Sequence, residues 1–232
     1  MTPRHLSSGY SAAQIREAER PLLEAGVPLM ARAAAGLADV VREVLAERPE
    51  AQGRLLVLAG SGSNGGDALF AAAELLADGC SAVVVRLGSR IHEAGLAAAV
   101  EAGATVLEHA DPAAVARIAA AVDVVLDGVL GTGAAADPAL RSPAKEVVAA
   151  LLPVVRADRP AVVAVDLPSG VGADDGAAPG PVLSADVTVT FGAVKAGLLL
   201  SPGRELAGTV RLVDIGLGPA LARIRPLVTA PR

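Results

Sequence analysis

Aromatic residues and cysteines are scarce in this chain of 232 residues, which has two Phe, one Tyr and no Trp. Ala, Val and Leu must therefore supply most of a hydrophobic core. The one cysteine, Cys80, excludes a disulfide within the chain and a zinc site made of several cysteines. We expect Cys80 to be structural, because it lies beside Gly79 at a predicted junction of helix and strand.

The sequence also lacks an excess of positive charge. Its formal net charge is −5, which argues against nucleic acid as a main partner. No apolar stretch of about 18 residues runs without Gly, Pro or a charge, so no membrane span is predicted. The first residues, MTPRHLSSGYSAAQ, lack the apolar segment of a secretory signal. We therefore expect a cytoplasmic protein that binds neither membranes nor nucleic acid.

Apolar residues are plentiful, at 53% against 19% charged residues, and this excludes disorder throughout the chain. Apolar runs alternate with helical patterns, an order that predicts an α/β fold with a parallel sheet and helices on both faces. The predicted strands are RLLVLAG, SAVVVRLG, ATVLEH, DVVLDGVLG and AVVAVDLPSG, with helices at 68–77, 91–101, 112–121 and 143–154. A β-rich section, ADVTVTFG and GTVRLVDIG, follows. No linker is long enough to divide the chain, so residues 1–232 are predicted to form a single domain.

Two helices are predicted before the first of these strands. Ser11 and Gln14 have the spacing of a capping box, which starts a helix through AAQIREAERPLLEAG. Pro21 is expected to break or kink this helix. The stretch LMARAAAGLADVVREVLAE has the pattern of a second amphipathic helix.

Glycines and polar residues gather where several strands end, and parallel sheets bind ligands at that edge. After the first strand, Gly60, Gly62 and Gly65 form G-x-G-x-x-G, and Asp67 is expected in the first turn of the next helix. No Lys follows the glycines, which excludes a Walker A loop. Two interpretations remain, a dinucleotide loop or a tight turn that Asp67 caps. An acid in that turn competes with phosphate for the free amides, and Arg86 stands where a ribose-binding acid is expected.

Two later strand ends carry similar signals. In DGVLGTGAAADP the amides of residues 131–133 are free to hold a phosphate, although a flexible connector is the alternative. Asp127 closes a strand, where a buried charge needs a partner. AVDLPSGVGADDG places Asp166 and Ser169 at another strand end, for which an Asx-type turn is the alternative.

The chain has only two lysines and three histidines. Lys195 lies between Gly192 and Gly197, and we expect it to be a solvated loop residue. The histidines share no metal-ligand spacing and are expected at the surface or at strand ends; they are His5, His92 and His109.

Taken in order, these motifs resemble one family. The stretches GSGSNGGDALFAA, DGVLGTG, VDLPSGVGADDG, ADVTVTFGAVKAGLLLSPG and VDIGL, with YSAAQIREAER and VPLMARA before them, are similar to the signatures of the NAD(P)H-hydrate epimerases, the YjeF N-terminal domain family. The resemblance implies a Rossmann-like three-layer α/β/α sandwich with a mostly parallel central sheet. It implies an isomerase that interconverts the R and S epimers of hydrated NADH and NADPH, a nicotinamide-cofactor repair step. It also implies one bound K⁺ per subunit and a homodimer.

The resemblance assigns site residues as well. Asn64, Asp127 and Ser169 would bind K⁺. Asp166 would face the reacting nicotinamide and is the candidate acid–base, with Asp67 as the second candidate. The residues expected to contact the hydrated cofactor are Ser63, Asn64, Gly65, Gly66, Asp67, Gly131, Thr132, Gly133, Ala134, Ala135, Ala136, Asp137 and Asp166. The alanines at 134–136 depart from the family pattern, which leaves the preference between NADH and NADPH open.

Two other functions fit parts of the sequence. The same domain occurs as a non-catalytic nucleotide-binding or scaffold module, and the glycine fingerprint alone fits an NAD(P)-dependent oxidoreductase. The retained Asn64, Asp127, Asp166 and Ser169 favour the epimerase. A dehydratase domain is often fused C-terminally in this family. The chain ends soon after VDIGLGPALARIRP, so we expect it to act with a separate NAD(P)H-hydrate dehydratase.

Overall fold

The computed structural model describes residues 7–132, 137–156 and 160–230. Its strands are β1 Ser8–Tyr10, β2 Arg54–Ala59, β3 Ser81–Arg86, β4 Thr105–Leu107, β5 Val124–Gly128, β6 Ala161–Val165, β7 Val187–Phe191, β8 Val194–Lys195, β9 Thr209–Val213 and β10 Val228–Thr229. Its α-helices are α1 Ala12–Glu24, α2 Leu29–Ala46, α3 Ser63–Ala77, α4 Glu93–Glu101, α5 Pro112–Ala119, α6 Ala144–Val155, α7 Gly203–Leu206 and α8 Gly218–Leu221.

Seven strands form one parallel sheet in the order β4-β3-β2-β5-β6-β7-β9, which confirms the predicted parallel sheet. From β2 the chain moves outward to β3 and β4, and then returns to place β5 on the other side of β2. This change of direction leaves a crevice at the carboxyl ends of β2 and β5, the usual place for a ligand in such sheets.

Helices cover both faces of the sheet because its strands are apolar on both faces. Along β2, Leu55 and Val57 pack into one cluster with α2 and α3, whereas Leu56 and Leu58 pack into a second cluster with α5 and α6. All four side chains are buried, and each stabilises the fold by roughly 1.5–3 kcal/mol relative to an exposed position. The result is the three-layer α/β/α sandwich that the resemblance implies.

The start of α1 agrees with the prediction from the sequence, but the middle of the helix does not. The Ser11 hydroxyl accepts a hydrogen bond from the Gln14 amide at 3.1 Å, and the Gln14 side chain accepts one from the Ser11 amide at 2.9 Å. This confirms the capping box. Of the predicted break or kink at Pro21, the break is wrong, since α1 runs through this residue to Glu24. Burial of Ile15 on the helix face that packs against the core offsets the hydrogen bond that the proline removes.

A small second sheet, in the order β10-β1-β8, is not predicted by the sequence. Its strands have two or three residues each, too few to show a period of apolar residues. Strand β1 pairs antiparallel with β10 and parallel with β8. Through β8 this sheet fixes the position of Lys195. Among the helices described, none combines the length and the apolar character that a membrane span requires.

Candidate functional site

A cleft of about 1340 Å³ opens at the carboxyl ends of β2 and β5. Its walls come from α1, the loop before α3, the loop after β3 and the loop after β5. A volume of this size exceeds that of a typical drug-sized pocket and suits an extended ligand. The residues that line it are Arg16, Glu19, Arg20, Leu23, Glu24, Gly60, Ser61, Gly62, Ser63, Asn64, Arg86, Leu87, Gly88, Ser89, Arg90, Val129, Leu130, Gly131, Thr132, Asp137, Ala139, Leu140, Arg141, Ser142, Pro143 and Ala144.

The glycine-rich loop forms the start of α3, and the helix begins at Ser63, five residues earlier than predicted. Its N-cap is Gly62, with φ +97° and no capping side chain, so the first-turn amides point toward the cleft uncapped. Gly60 is required for a different reason: a Cβ atom there would overlap the carbonyl of Val129. The backbone of the loop after β2 is therefore in direct contact with the backbone of the loop after β5.

Asp67 lies in the second turn of α3 and not in the first as expected, which excludes the interpretation that it caps the turn. The side chain is buried and accepts no hydrogen bond from the residues that the structure describes. Burial raises the pKa of Asp67 to about 8; the Asp166 carboxylate adds to the rise and the Lys195 ammonium opposes it. Asp67 therefore carries its proton at neutral pH.

Asp166 follows β6 in a left-handed conformation, with φ 71°, and its carboxylate is buried. Its Oδ1 accepts hydrogen bonds from the Thr190 hydroxyl at 3.2 Å and the Phe191 amide at 3.3 Å, and forms an ion pair with Lys195 Nζ. Lys195 also donates to the Phe191 carbonyl at 3.0 Å. The prediction of a solvated Lys195 is wrong, because strand β8 carries the ammonium inside, where it is 2% exposed.

Glu19 is a site residue that sequence reasoning missed. It lies half-buried on α1 in the wall of the cleft. Burial raises its pKa; the charges of Lys195 and Arg16 lower it and that of Asp166 raises it. Nothing in the local sequence EAER separates Glu19 from its exposed neighbours.

The three predicted K⁺ ligands converge on the switch point. Asp127 is the penultimate residue of β5 and is fully buried; its Oδ2 accepts a hydrogen bond from the Ser169 amide at 2.8 Å. The Ser169 hydroxyl accepts from the Leu130 amide at 2.9 Å. The Asn64 side-chain nitrogen donates to the Val165 carbonyl at 2.5 Å. The amide of Asn64 thereby presents its oxygen to another partner.

One atom in this group fits a bound cation. Asp127 Oδ1 is the buried side-chain oxygen, among the residues described, that has no hydrogen-bond partner. Burial raises the pKa of Asp127, against the opposing effect of its hydrogen bonds from Ser169. A cation beside Oδ1 would supply the missing partner. In the described chain no three His, Cys, Asp or Glu side chains are placed to hold a metal ion together, and one carboxylate with neutral oxygens suits a monovalent hard cation.

The cleft is basic although the chain is acidic. Five arginines line it against three acidic residues, whereas the whole chain has a net charge of −5. Arg16 donates to the Thr132 carbonyl at 3.2 Å and joins α1 to the loop after β5. Arg86 is paired with Glu108. The side chains of Arg90 and Arg141 contact no acidic group in the described chain, so they are free to bind an anion.

The predicted cofactor residues fall into three groups. Ser63, Asn64, Gly131, Thr132 and Asp137 line the cleft. Residues 65–67 lie behind them within α3 and are buried, and Asp166 is buried with Lys195. Gly133, Ala134, Ala135 and Ala136 lie outside the described residues.

His92 has a structural role. Its Nδ1 accepts a hydrogen bond from the Gly95 amide at 3.1 Å, which caps α4, and its ring packs edge-on against Phe70.

A family model and several known proteins are similar to this chain. A family model described as YjeF-related protein N-terminus matches residues 26–197. Two proteins named NAD(P)H-hydrate epimerase are similar to the chain. That of Clavibacter michiganensis subsp. michiganensis is 55% identical and covers 99% of both chains. That of Clavibacter sepedonicus is 57% identical and covers 98% of this chain and 97% of the relative.

A longer relative and a solved structure extend the comparison. The bifunctional NAD(P)H-hydrate repair enzyme Nnr of Mycobacterium leprae is 42% identical over 90% of this chain and 41% of its own length. The crystal structure of yeast ynu0, YNL200c, has a TM-score of 0.70 at 24% identity, covers 82% of each chain, and shows a shared fold.

Proposed function

This chain belongs to the family of YjeF-related protein N-termini, and on that premise we propose that it is an NAD(P)H-hydrate epimerase, an isomerase that interconverts the R and S epimers of hydrated NADH and NADPH. Two relatives that share more than half of its residues over nearly their whole length carry that name. The geometric observation that carries the proposal is a basic, dinucleotide-sized cleft with the buried carboxylic acid of Asp67 behind it on α3.

The chemistry needs one proton donor. The carbon that inverts bears both the hydroxyl group and the ring nitrogen. Protonation of the hydroxyl breaks the carbon–oxygen bond, the oxygen leaves as water, and the nitrogen lone pair forms a C=N bond. Water then returns to the opposite face and gives its proton back. A carboxylic acid in a site with little water can perform both transfers, and the buried acids near the cleft supply it.

Phosphate and cation binding complete the proposed site. The free amides of the α3 N-terminus, the loop at Gly131 and the unpaired Arg90 and Arg141 would bind the phosphates of the dinucleotide. Asn64, Asp127 and Ser169 would hold one K⁺ per subunit, as the partnerless Oδ1 of Asp127 supports. When bound, this ion would offset the buried charge and help to orient the substrate hydroxyl.

The wider setting of the reaction is part of the same proposal. An NAD(P)H-hydrate dehydratase would consume one epimer, and epimerisation would supply it from the other. The bifunctional relative, of which this chain spans about two fifths, is in keeping with a second activity that works beside this one. We also propose that the protein is a homodimer and acts in the cytoplasm, where the nicotinamide cofactors are used.

The direct test mixes purified protein with both epimers of hydrated NADH and with a dehydratase that consumes the S form alone. We expect the R form to disappear at a rate that grows with the amount of protein, and the same for hydrated NADPH. Persistence of the R form, as in a control without the protein, would refute the epimerase. Binding of the hydrated cofactor without turnover would then indicate a scaffold module, and hydride transfer with undamaged cofactor would indicate an oxidoreductase.

A further inference from the structure

Two buried carboxyl groups, one half-buried carboxyl group and one buried ammonium form a charged cluster beside the cleft. The cluster consists of Glu19 on α1, Asp67 on α3, Asp166 after β6 and Lys195 on β8, with Arg16 at its outer side. Asp67, Asp166 and Lys195 are each at most 5% exposed. A buried region with one cation holds one carboxylate at low cost, but two more negative charges there would lack a partner.

The contacts decide which carboxylate is ionised. Asp166 forms the ion pair with Lys195 and accepts two further hydrogen bonds. Asp67 accepts no hydrogen bond within the described chain. Asp166 is therefore the ionised carboxylate and Asp67 the protonated acid, although the two are neighbours. Many active sites contain such a pair, in which one carboxyl group is kept neutral and the other charged by their different surroundings.

The position of Asp67 also suits proton transfer. It lies three residues after Asn64, so the two share one face of α3, and Asn64 lines the cleft. Side chains on a helix tilt toward its N-terminus, and the N-terminus of α3 opens into the cleft. The Asp67 carboxyl is thus inclined toward the end of α3 that opens into the cleft, whereas the bonded oxygen of Asp166 is turned toward β7 and β8.

We propose that Lys195 is a positioning residue that holds Asp166 as a carboxylate, so that Asp67 carries the proton used in epimerisation. The inference rests on the proposed function, and it reverses the order of the two candidate acids. Asp67 gives its proton to the leaving hydroxyl oxygen, which departs as water with the electron pair of the broken bond. The Asp67 carboxylate then takes a proton from the water that adds to the opposite face. Lys195 and Asp166 keep their charges throughout.

The first experiment measures kcat and its pH dependence for single variants. Asp67→Asn should lose at least about a hundredfold in kcat at every pH. Lys195→Met removes the cation, so the basic limb of the profile should move to higher pH by about one unit or more. Asp166→Asn leaves the ammonium beside Asp67, so the limb should move about as far in the opposite direction. A structural role alone would not shift the limb in two directions.

A double variant and a control complete the kinetic test. Lys195→Met with Asp166→Asn removes the buried pair without leaving a charge, so the basic limb should return toward its wild-type position from the shift that Asp166→Asn alone produces. Glu17→Gln, an exposed position on α1, should leave the profile in place. If Asp67→Asn keeps its rate while Asp166→Asn loses it at every pH, Asp166 is the acid and the proposal is wrong.

The second experiment needs no turnover, and so separates this proposal from the epimerase itself. Infrared spectra of the free protein at mildly acidic pH, below the lowered pKa of Asp67 in Asp166→Asn, should contain a carboxyl C=O band of a protonated acid that is absent in Asp67→Asn and present in Asp166→Asn. Loss of the band in Asp166→Asn alone would overturn the assignment. If the band behaves as expected but wild-type protein epimerises nothing, the charge arrangement stands and the proposed function fails. Thermal unfolding identifies any variant that does not fold, and the comparison of wild type with Asp67→Asn remains decisive in that case.

Discussion

At the scale of single residues, the fold changes the chemistry of Asp67 more than the sequence around it suggests. Burial on α3 is the main cause, and it raises the pKa of this side chain to about 8. In the unfolded chain the pKa of the same group is about 4. The folded protein therefore holds a proton that the unfolded chain releases throughout the interval between these values.

This difference predicts how stability depends on pH. Because the folded state binds the extra proton, the contribution of Asp67 to stability falls as pH rises from about 4 to about 8, by up to about 1.4 kcal/mol per unit. Asp67→Asn has no such titration. Its free energy of unfolding, measured by denaturant titration, should therefore increase relative to that of wild type as pH rises through this interval. Glu17→Gln serves as the control, and parallel curves for Asp67→Asn and wild type would contradict the expectation.

At the scale of elements, the site depends on how closely two loops approach each other. Gly131, in the loop after β5, lies against the side-chain amide of Asn64 at the start of α3, and a Cβ atom on Gly131 would overlap that amide. The sequence marks both loops by their glycines but does not show that they touch. Contact arises because β2 and β5 are neighbours at the switch point of the sheet.

Gly131→Ala tests this contact. The added methyl group must displace Asn64 or the loop, so we expect a loss of about 1–3 kcal/mol in stability and at least about a tenfold fall in kcat/KM. Gly180→Ala is the matched control, since a Cβ there meets no atom within 4 Å. Unchanged kcat/KM in Gly131→Ala would show that the two loops move apart without consequence for the site.

At the scale of the whole molecule, a cation that binds the folded chain at Asp127 should stabilise it by mass action. We expect KCl to raise Tm relative to N-methylglucamine chloride of equal ionic strength. Asp127→Asn should abolish that difference. Asp123 lies at the opposite end of β5 and pairs with Arg54, so Asp123→Asn should lower Tm but keep the response to K⁺. Equal responses of wild type and Asp127→Asn would rule out this site for the ion.

The sequence by itself determined the sheet, the helices on both faces and the strand ends at which the site lies. These depend on short-range patterns, namely the apolar runs of β2 to β7, the capping box at Ser11 and the glycines after β2 and β5. The start of α3 was missed because glycine and asparagine are poor helix formers. Burial of the Ala68–Leu75 face of this helix against the sheet outweighs that preference.

Tertiary structure alone decided the charges inside the site. Lys195 and Asp166 lie 29 positions apart, and the two-residue strand β8 that carries Lys195 inside has no sequence signature of its own. The raised pKa of Asp67 likewise comes from removal of water and from neighbours on other elements. Desolvation and long-range charge pairs depend on packing in three dimensions, whereas the period of apolar residues and the chemistry of strand ends are local properties of the chain.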